Sequence, residues 1–237
     1  DGLVYVLATG DATLYGYRLV EGDLLPVEGA MRTLSTPDGA QVSFTPDGRA
    51  LIATERGGDR ISAFPVAMDG TLGEPRTIDS LGATPYGFAI SPDGTLVVTE
   101  AYRAEKGAAA ASSYRVAGDA VTPVTKSVGN GRSEICWAVI TDDGKYAFTT
   151  NFADGAVSQY AIGMDGALTL EDATAGITED GRPGLRDEDL TDDGRFLYAI
   201  DAGQGQIAGW AVDGRGSLTK IGSWDGVPTT VAGLVAI

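Results

Sequence analysis

An Asp-Gly dipeptide followed by a short apolar run recurs along the chain at a nearly constant interval. The recurring segments are TPDGRALIATE (45–55), SPDGTLVVTE (91–100), TDDGKYAFTTN (141–151) and TDDGRFLYAID (191–201), and DGLVYVLATG (1–10) opens the chain in the same way. Their aspartates, at positions 1, 47, 93, 143 and 193, are 46, 46, 50 and 50 residues apart. Such a period is typical of solenoids, propellers and repeat arrays.

The repeating unit is composed of β-strands. Asp-Gly between two apolar runs is a tight-turn signal. An alternating strand such as ISAFPVAM (61–68) or VSQYAIGM (157–164) follows each run, and a second turn leads into a polar strand. Four strands per repeat make one propeller blade. We therefore predict an all-β fold: a single β-propeller domain over residues 1–237, with five blades of four antiparallel strands.

The end of the chain supplies a strand that the first repeat lacks. An apolar strand precedes the internal turns, as in QVSFTP (41–46), GFAISP (87–92) and WAVITD (137–142), but the first repeat begins at its turn. VAGLVAI (231–237) would complete it. We expect residues 231–237 to pair with residues 3–9 and close the ring, because closure removes exposed sheet edges.

The amino-acid composition limits the classes of partner and the cellular compartments that we expect for this protein. Net charge is −16, with 33 acidic and 17 basic residues, which disfavours nucleic acid and anionic membranes as partners. No apolar stretch approaches the length of a membrane span, and no signal-peptide pattern opens the chain. We expect a soluble protein, either cytoplasmic or secreted after processing. Cys136 is the single cysteine and is predicted to be a buried, inert thiol.

Several stretches together resemble one known family. They are LVYVLATG, QVSFTPDGRALIATE, PYGFAISPDGTLVVTEA, CWAVITDDGKYAFTTNF and GRFLYAIDAG. In order and spacing they are similar to the lactonase-type β-propellers, the group of 6-phosphogluconolactonase and the carboxymuconate-lactonizing enzymes. That family normally has seven blades. Two interpretations follow: a five-bladed ring, or a seven-bladed protein of which two blades lie outside this chain.

Residues that begin the inner strand of each blade, or end its second strand, should converge on one mouth of the central channel, where concave sites form. The second strands end in Glu55, Glu100, Asn151 and Asp201. The positions at or near the inner strands hold Gln41, Tyr86, Trp137, Glu134 and Asp187. The arginines near this mouth are Arg56, Arg103, Arg132 and Arg186.

These side chains suggest an anionic or polyhydroxylated small molecule as ligand. Arginine recognises carboxylate or phosphate through paired hydrogen bonds, and Tyr86 and Trp137 would pack on a ring face. Glu100 or Glu55 would act as general base, with an adjacent arginine stabilising the oxyanion. The resemblance implies a histidine, a glutamate and arginines at this mouth, with Glu100 matching the glutamate. The chain contains no histidine, which excludes a histidine base.

Other interpretations remain open at this point. Strand-end Asp, Asn and Glu side chains often bind loop amides and play only a structural part. Glu55, Glu100, Asn151 and Asp201 also carry the oxygen ligands that Ca²⁺ prefers, although no metal or other cofactor is required. We predict an enzyme that hydrolyses or forms a small acidic or sugar-derived lactone. The alternatives are a non-catalytic propeller that binds a ligand or a protein, and a specialised-metabolism enzyme with an unrelated substrate.

Overall fold

Antiparallel β-strands build almost all of the described part of the chain, which comprises residues 2–179 and 181–237 of a computed structural model. The turn aspartate predicted at position 1 lies outside these residues. The only helical segments in the described ranges are three single 3-10 turns, Arg56–Gly58, Tyr102–Ala104 and Phe152–Asp154. None of them is long enough to cross a membrane.

The strands form five sheets, in each of which strands adjacent in sequence pair with one another. Sheet 1 contains β1 (Gly2–Ala8), β2 (Thr13–Val20) and β3 (Asp23–Thr33). Sheet 2 contains β4 (Gly39–Phe44), β5 (Ala50–Glu55), β6 (Arg60–Pro65) and β7 (Arg76–Asp79). Sheet 3 contains β8 (Pro85–Ile90), β9 (Thr95–Glu100), β10 (Ala110–Ala117) and β11 (Ala120–Gly129). Sheet 4 contains β12 (Ile135–Ile140), β13 (Tyr146–Asn151), β14 (Ala156–Ile162) and β15 (Leu168–Ile177). Sheet 5 contains β16 (Leu185–Leu190), β17 (Phe196–Asp201), β18 (Gln206–Val212) and β19 (Leu218–Asp225). The all-β propeller architecture with five blades is confirmed.

The repeated Asp-Gly motif is a hydrogen-bonded turn between the first and second strands of a blade. In sheet 2 the Thr45 hydroxyl donates to Asp47 Oδ1 at 2.6 Å, and the same oxygen accepts the amide of Arg49 at 3.1 Å. Gly48 has a φ of 67°, a left-handed conformation that favours glycine. Equivalent turns occur at Ser91–Asp93, Thr141–Asp143 and Thr191–Asp193. The sequence motif is therefore a local turn that each blade forms by itself.

The hydrophobic core lies between neighbouring blades. Phe88, Leu96 and Val98 of sheet 3 pack against Ile52 and Ile61 of sheet 2, and all five are almost completely buried. A second cluster joins sheets 4 and 5 in the same way. Each blade therefore buries its faces against its neighbours, and the first strands of the sheets, β1, β4, β8, β12 and β16, stand side by side as the inner strands.

The predicted closure by residues 231–237 is wrong for the described residues. This segment forms no strand, and sheet 1 has three strands without it. The amides of Leu234 and Ala236 instead donate to the carboxylates of Asp187 and Asp189 on β16, at 2.9 and 3.0 Å. In an extended chain, every second residue points to the same side. The amides of Leu234 and Ala236 therefore face the same way, and they meet the side chains of Asp187 and Asp189, which also share one side of β16. In the described ranges β16 also does not pack on β1 as successive inner strands pack on each other.

Candidate functional site

A repeated backbone feature shapes one mouth of the propeller, where the inner strands begin and the second strands end. The residue before the inner strand has a positive φ in four blades: Asp38 (69°), Thr84 (58°), Glu134 (54°) and Gly184 (149°). In each case its carbonyl accepts the amide of the residue that follows the second strand, at 2.9 to 3.0 Å. The repeat therefore fixes which positions face this mouth.

A cavity of about 490 Å³ opens at this mouth. Its lining combines cations, carboxylates and aromatic rings. Seven of the residues predicted from the sequence line it: Arg56, Arg103, Arg186, Glu134, Asp187, Tyr86 and Trp137. Thr84 and Phe152 also line it and were missed. Both could have been found from the repeat, because Thr84 is equivalent to Glu134, and Phe152 follows its second strand as Arg56 does.

One wall of the cavity is aromatic and carries guanidinium groups. The rings of Tyr86 and Trp137 meet edge to face, with 5.4 Å between their centroids. Arg56 Cζ lies 4.9 Å from the Tyr86 centroid, and Arg186 Cζ lies 5.8 Å from that of Phe152. Both are within the range of a cation–π contact. This wall can therefore hold a flat ligand ring beside a positively charged group.

The three cavity arginines differ in their partners. Arg56 forms an ion pair with Asp38, and Arg103 Nη2 lies 2.8 Å from Asp59 Oδ2. Arg186 Nη1 donates to the Val231 carbonyl at 3.4 Å. No carboxylate in the described ranges lies within ion-pair distance of Arg186, so its charge is available to a ligand.

The two cavity carboxylates also differ. The Glu134 carboxylate accepts no hydrogen bond from any residue that the structure describes. Asp187 accepts the Leu234 amide, and burial raises the pKa of its carboxyl, with the charge of Asp189 adding to the effect. Burial raises the pKa of the Cys136 thiol to about 12, so this cavity residue is protonated at neutral pH. Glu134 is thus the carboxylate best placed to meet a ligand or a water molecule.

Glu55 is completely buried and does not line the cavity. Its carboxylate accepts hydrogen bonds from the Ser35 hydroxyl at 2.8 Å, from the Thr36 amide at 2.7 Å, and from the Ser62 hydroxyl. These donors come from the loop that enters the blade and from the third strand. Glu55 therefore joins loop and blade, which is the structural part that strand-end carboxylates often play.

Glu100 repeats this arrangement in the next blade. It is completely buried, and it accepts hydrogen bonds from the hydroxyls of Ser127, at 2.7 Å, and Ser112. Burial raises the pKa of this carboxyl, and the hydroxyl donors oppose that effect. The structure does not bring Glu55 or Glu100 to the cavity, so their placement does not support the catalytic part predicted for them.

The other two strand-end residues are hydrogen-bonded to protein groups as well. Asn151 Oδ1 accepts from Asn130 Nδ2 at 2.9 Å, and Asp201 Oδ1 accepts the Gln204 amide at 3.2 Å. Neither lines the cavity. The described residues contain no group of three or more Asp, Glu, Cys or His side chains arranged to hold a metal ion. The Ca²⁺ site considered from the sequence therefore has no supporting geometry.

Gln41 and Arg132 are the last two predicted ligand-binding residues, and both lie outside the cavity lining. The side-chain amide of Gln41 bonds to the backbone of Phe88 on the neighbouring inner strand. Arg132 Nε is buried and has no hydrogen-bond partner in the described ranges. Gln41 therefore joins two blades, and the ligand-binding role expected of Arg132 stays a prediction.

The five antiparallel sheets and the cavity at one mouth of the channel define the class of protein, a β-propeller. The chain belongs to the lactonase family of seven-bladed β-propellers, whose family model matches residues 27–106 and 100–230. The family resemblance predicted from the sequence is confirmed. No match was found among curated proteins.

Solved structures share the fold at low sequence identity. A protein from Lactobacillus plantarum is 19% identical, with a TM-score of 0.81 over 96% of this chain and 69% of that chain. A proposed 6-phosphogluconolactonase from Bacteroides uniformis ATCC 8492 is 22% identical, with a TM-score of 0.77 over 94% of this chain and 68% of that one. The periplasmic gluconolactonase PpgL of Pseudomonas aeruginosa is 20% identical, with a TM-score of 0.69 over 97% and 69%. At these identities the likeness shows the fold alone.

Proposed function

We propose that this chain hydrolyses a small lactone that carries an anionic group, in the cavity between Arg186 and Glu134. One observation carries the proposal. The cavity presents an arginine without a carboxylate partner and a glutamate without a hydrogen-bond donor, both in the described ranges, beside an aromatic wall. Membership of the lactonase family supports the same class of substrate.

The residues of the cavity account for each step of the reaction. Arg186 binds the anionic group and orients the lactone against the aromatic wall. The Glu134 carboxylate takes a proton from water as the water oxygen bonds to the lactone carbonyl carbon. The carbonyl oxygen becomes an oxyanion, which accepts a hydrogen bond from a guanidinium N–H at the rim, of Arg56 or Arg103. Collapse of this intermediate breaks the ring C–O bond, and the ring oxygen receives the proton to give the hydroxy acid.

The same groups would catalyse lactone formation in reverse, so the direction depends on the substrate supplied. This mechanism uses a carboxylate base and guanidinium groups, and it needs no histidine. It therefore fits a chain without one. It differs from the sequence prediction in its base, because Glu134 lies in the cavity whereas Glu55 and Glu100 do not.

Acid release measured by pH-stat tests the proposal directly. The substrates are glucono-δ-lactone, its 6-phosphate and a muconolactone, and the spontaneous rate is subtracted. Glu134→Gln should lower kcat by about 100-fold or more, the usual contribution of a general base. Glu105→Gln is the matched control, because Glu105 is exposed and lies outside the cavity lining. Turnover of neither anionic lactone, the 6-phosphate or the muconolactone, or an equal loss in both variants, would overturn the proposal.

Binding without turnover is the second candidate, and the buried state of Glu55 and Glu100 favours it. These two carboxylates are occupied by protein donors, which leaves Glu134 as the only candidate base without such donors among the described cavity residues. Calorimetric binding of the hydroxy acid by a protein that hydrolyses none of the lactones would establish a ligand-binding propeller.

A further inference from the structure

We propose that the cavity selects a ligand with a single negative charge, a monocarboxylate, over a dianion such as a phosphate monoester. The inference rests on the proposed function, since the ligand is the lactone, whose one anionic group Arg186 binds. It follows from the way the described residues distribute charge around the cavity. Each cavity arginine that is paired with a carboxylate has its charge offset, so the number of unpaired arginines sets how many negative charges of a ligand the cavity can balance.

Asp38 neutralises the charge of Arg56. The carboxylate of Asp38 is bonded to Nη2 of Arg56, and the backbone joins the same two residues, since the Arg56 amide donates to the Asp38 carbonyl at 3.0 Å. Nε of Arg56 is buried without a partner in the described ranges. The contact with Asp38 therefore offsets the positive charge of Arg56, although N–H donors such as Nε stay free.

Asp59 neutralises Arg103 in the next blade. Asp59 Oδ2 lies 2.8 Å from Arg103 Nη2, while its Oδ1 accepts the Thr84 amide at 2.6 Å. The Arg103 amide in turn donates to the Thr84 hydroxyl at 3.0 Å. This network holds the carboxylate beside the guanidinium. Although the pair is partly exposed and contributes little to stability, it cancels the charge that Arg103 would present to a ligand.

Arg186 is left as the one cavity arginine whose charge no carboxylate in the described ranges offsets. Its guanidinium lies over the Phe152 ring and uses one nitrogen for the Val231 carbonyl. A guanidinium carries five N–H donors, so enough remain for two parallel hydrogen bonds to one carboxylate. The cavity thus offers one full positive charge in a geometry suited to one carboxylate.

A second negative charge on the ligand would meet repulsion. Glu134 and Asp187 line the same cavity, and Asp187 follows Arg186 directly in the chain. Like charges placed together at a binding surface repel each other and discriminate against the wrong partner. A phosphate dianion bound at Arg186 would lie beside these carboxylates with no second unpaired guanidinium in the described lining. A monocarboxylate avoids this repulsion.

Equilibrium binding of two probes with one carbon skeleton tests the selection. Gluconate carries one negative charge, and 6-phosphogluconate at pH 8 carries a carboxylate and a phosphate dianion. Isothermal titration at low salt should show gluconate binding at least about tenfold more tightly, given the cost of like-charge contacts. Arg186→Gln should weaken gluconate binding about tenfold or more, the usual effect of removing a charged hydrogen-bond partner.

Asp38→Asn tests the selection most directly. Without the Asp38 carboxylate, Arg56 should present a second unpaired positive charge to the cavity. Asparagine tolerates the left-handed backbone of position 38, so the loop should keep its shape. Released from its carboxylate, Arg56 should raise the affinity for 6-phosphogluconate about tenfold and change gluconate binding much less. Asp119→Asn is the matched control: it removes one negative charge from an ion pair with Arg76 whose two residues lie outside the cavity lining.

The binding results test the charge selection, and the turnover results test the proposed function. Equal or tighter binding of 6-phosphogluconate than of gluconate by the unmodified protein, binding of neither probe, or an equal gain in Asp119→Asn would overturn the selection. Parallel pH-stat measurements separate this failure from failure of the proposed function. Lactone hydrolysis that depends on Glu134, together with unselective binding, would leave the function standing and remove the charge selection. Selective gluconate binding without turnover would support the charge selection and overturn the proposed function.

Discussion

Gln41 on β4 bonds to both backbone polar groups of Phe88 on β8. Its Nε2 donates to the Phe88 carbonyl at 2.9 Å, and its Oε1 accepts the Phe88 amide at 2.9 Å. No strand ladder joins these two sheets, so a side-chain amide takes the place of a ladder between the blades. The Thr54 hydroxyl adds a second link, donating to the Tyr86 carbonyl at 2.6 Å.

Gln41→Ala should therefore destabilise the protein. It leaves a partly buried amide and carbonyl of Phe88 without their partners, which costs about 1–3 kcal/mol in the free energy of unfolding. Urea denaturation measures this as a lower midpoint at unchanged slope. Gln206→Ala is the control, because Gln206 makes an exposed bond to Asp225, and its loss should cost less than about 0.5 kcal/mol. Equal urea midpoints for the two variants would contradict a stabilising link between Gln41 and Phe88.

Gly87 lies where the backbones of two neighbouring blades approach each other closely beside the cavity. A Cβ at this position would lie 2.5 Å from the Cys136 carbonyl oxygen and 2.8 Å from Cα of Trp137. Both are backbone atoms, which cannot swing aside. Gly87→Ala should therefore force β8 and β12 apart, cost about 1–3 kcal/mol of stability, and change the near-ultraviolet circular dichroism of Trp137.

Gly214→Ala provides the control for that substitution. Gly214 has no heavy atom within 4 Å of a built Cβ, so an added methyl group meets open space. Its stability and spectrum should stay close to those of the unmodified protein. If Gly87→Ala behaved like Gly214→Ala, the close approach of β8 and β12 would be wrong.

Glu188 is a carboxylate at a position that other blades fill with apolar side chains. It pairs with Ala199, just as Val42, Phe88 and Ala138 pair with their own second strands. Glu188 is only 3% exposed, and neither carboxylate oxygen has a hydrogen-bond partner of normal geometry in the described ranges. Burial raises its pKa well above the usual value, and the nearby charges of Asp187 and Asp189 add to this effect.

The raised pKa predicts stability that falls with rising pH. The unfolded chain loses the Glu188 proton near pH 4.5, whereas the folded protein keeps it to higher pH. Between the two pKa values the folded state binds more protons, so the free energy of unfolding falls by about 1.4 kcal/mol per pH unit as pH rises. Below this pH window Glu188 is protonated in both states, so its ionisation does not change the free energy of unfolding. Above the window it is ionised in both states, and the free energy of unfolding falls no further.

Urea unfolding between pH 5 and pH 8 measures this effect. Glu188→Leu should be more stable than the unmodified protein at pH 8, and the difference should shrink towards pH 5. Glu188→Gln should remove the pH dependence without the gain from an apolar side chain. Glu105→Gln, an exposed glutamate, is the control and should follow the unmodified protein. Parallel pH profiles for Glu188→Leu and the control would contradict the assignment.

The blades could be predicted from the sequence because their signals are local. Each turn is formed by a hydroxyl, an aspartate and a glycine within four consecutive positions, so the pattern repeats wherever the turn does. The end of the chain could not be predicted in this way. VAGLVAI has the composition of a strand, but its position depends on Asp187 and Asp189, more than forty residues earlier in the chain.

The candidate site could be predicted only in part, for a related physical reason. The repeat register located the mouth, and residues such as Arg56 and Trp137 do line its cavity. The direction of a strand-end side chain depends on partners in other strands. Ser127, on the last strand of the blade, holds Glu100 away from the cavity, and no feature near Glu100 in the sequence indicates it.

Glu100→Gln separates the sequence-based interpretation from the structural one. A catalytic glutamate would lose turnover on this change and keep its stability. In the structure, the carboxylate accepts from the hydroxyls of Ser112 and Ser127 and from the Gly82 amide. A glutamine NH₂ group cannot accept these bonds and would face one of the donors. We expect a loss of about 1–3 kcal/mol in the free energy of unfolding.

Turnover per folded molecule should change little in Glu100→Gln, because the side chain does not reach the cavity. The measurement combines urea denaturation with pH-stat rates corrected for the folded fraction, with Glu134→Gln alongside. Glu134 lies in the cavity without a hydrogen-bond donor among the described residues, so its variant should show the opposite pattern: normal stability and lost turnover. A Glu100→Gln protein of normal stability that hydrolyses no lactone would return the catalytic part to Glu100 and require its carboxylate to reach the cavity during the reaction.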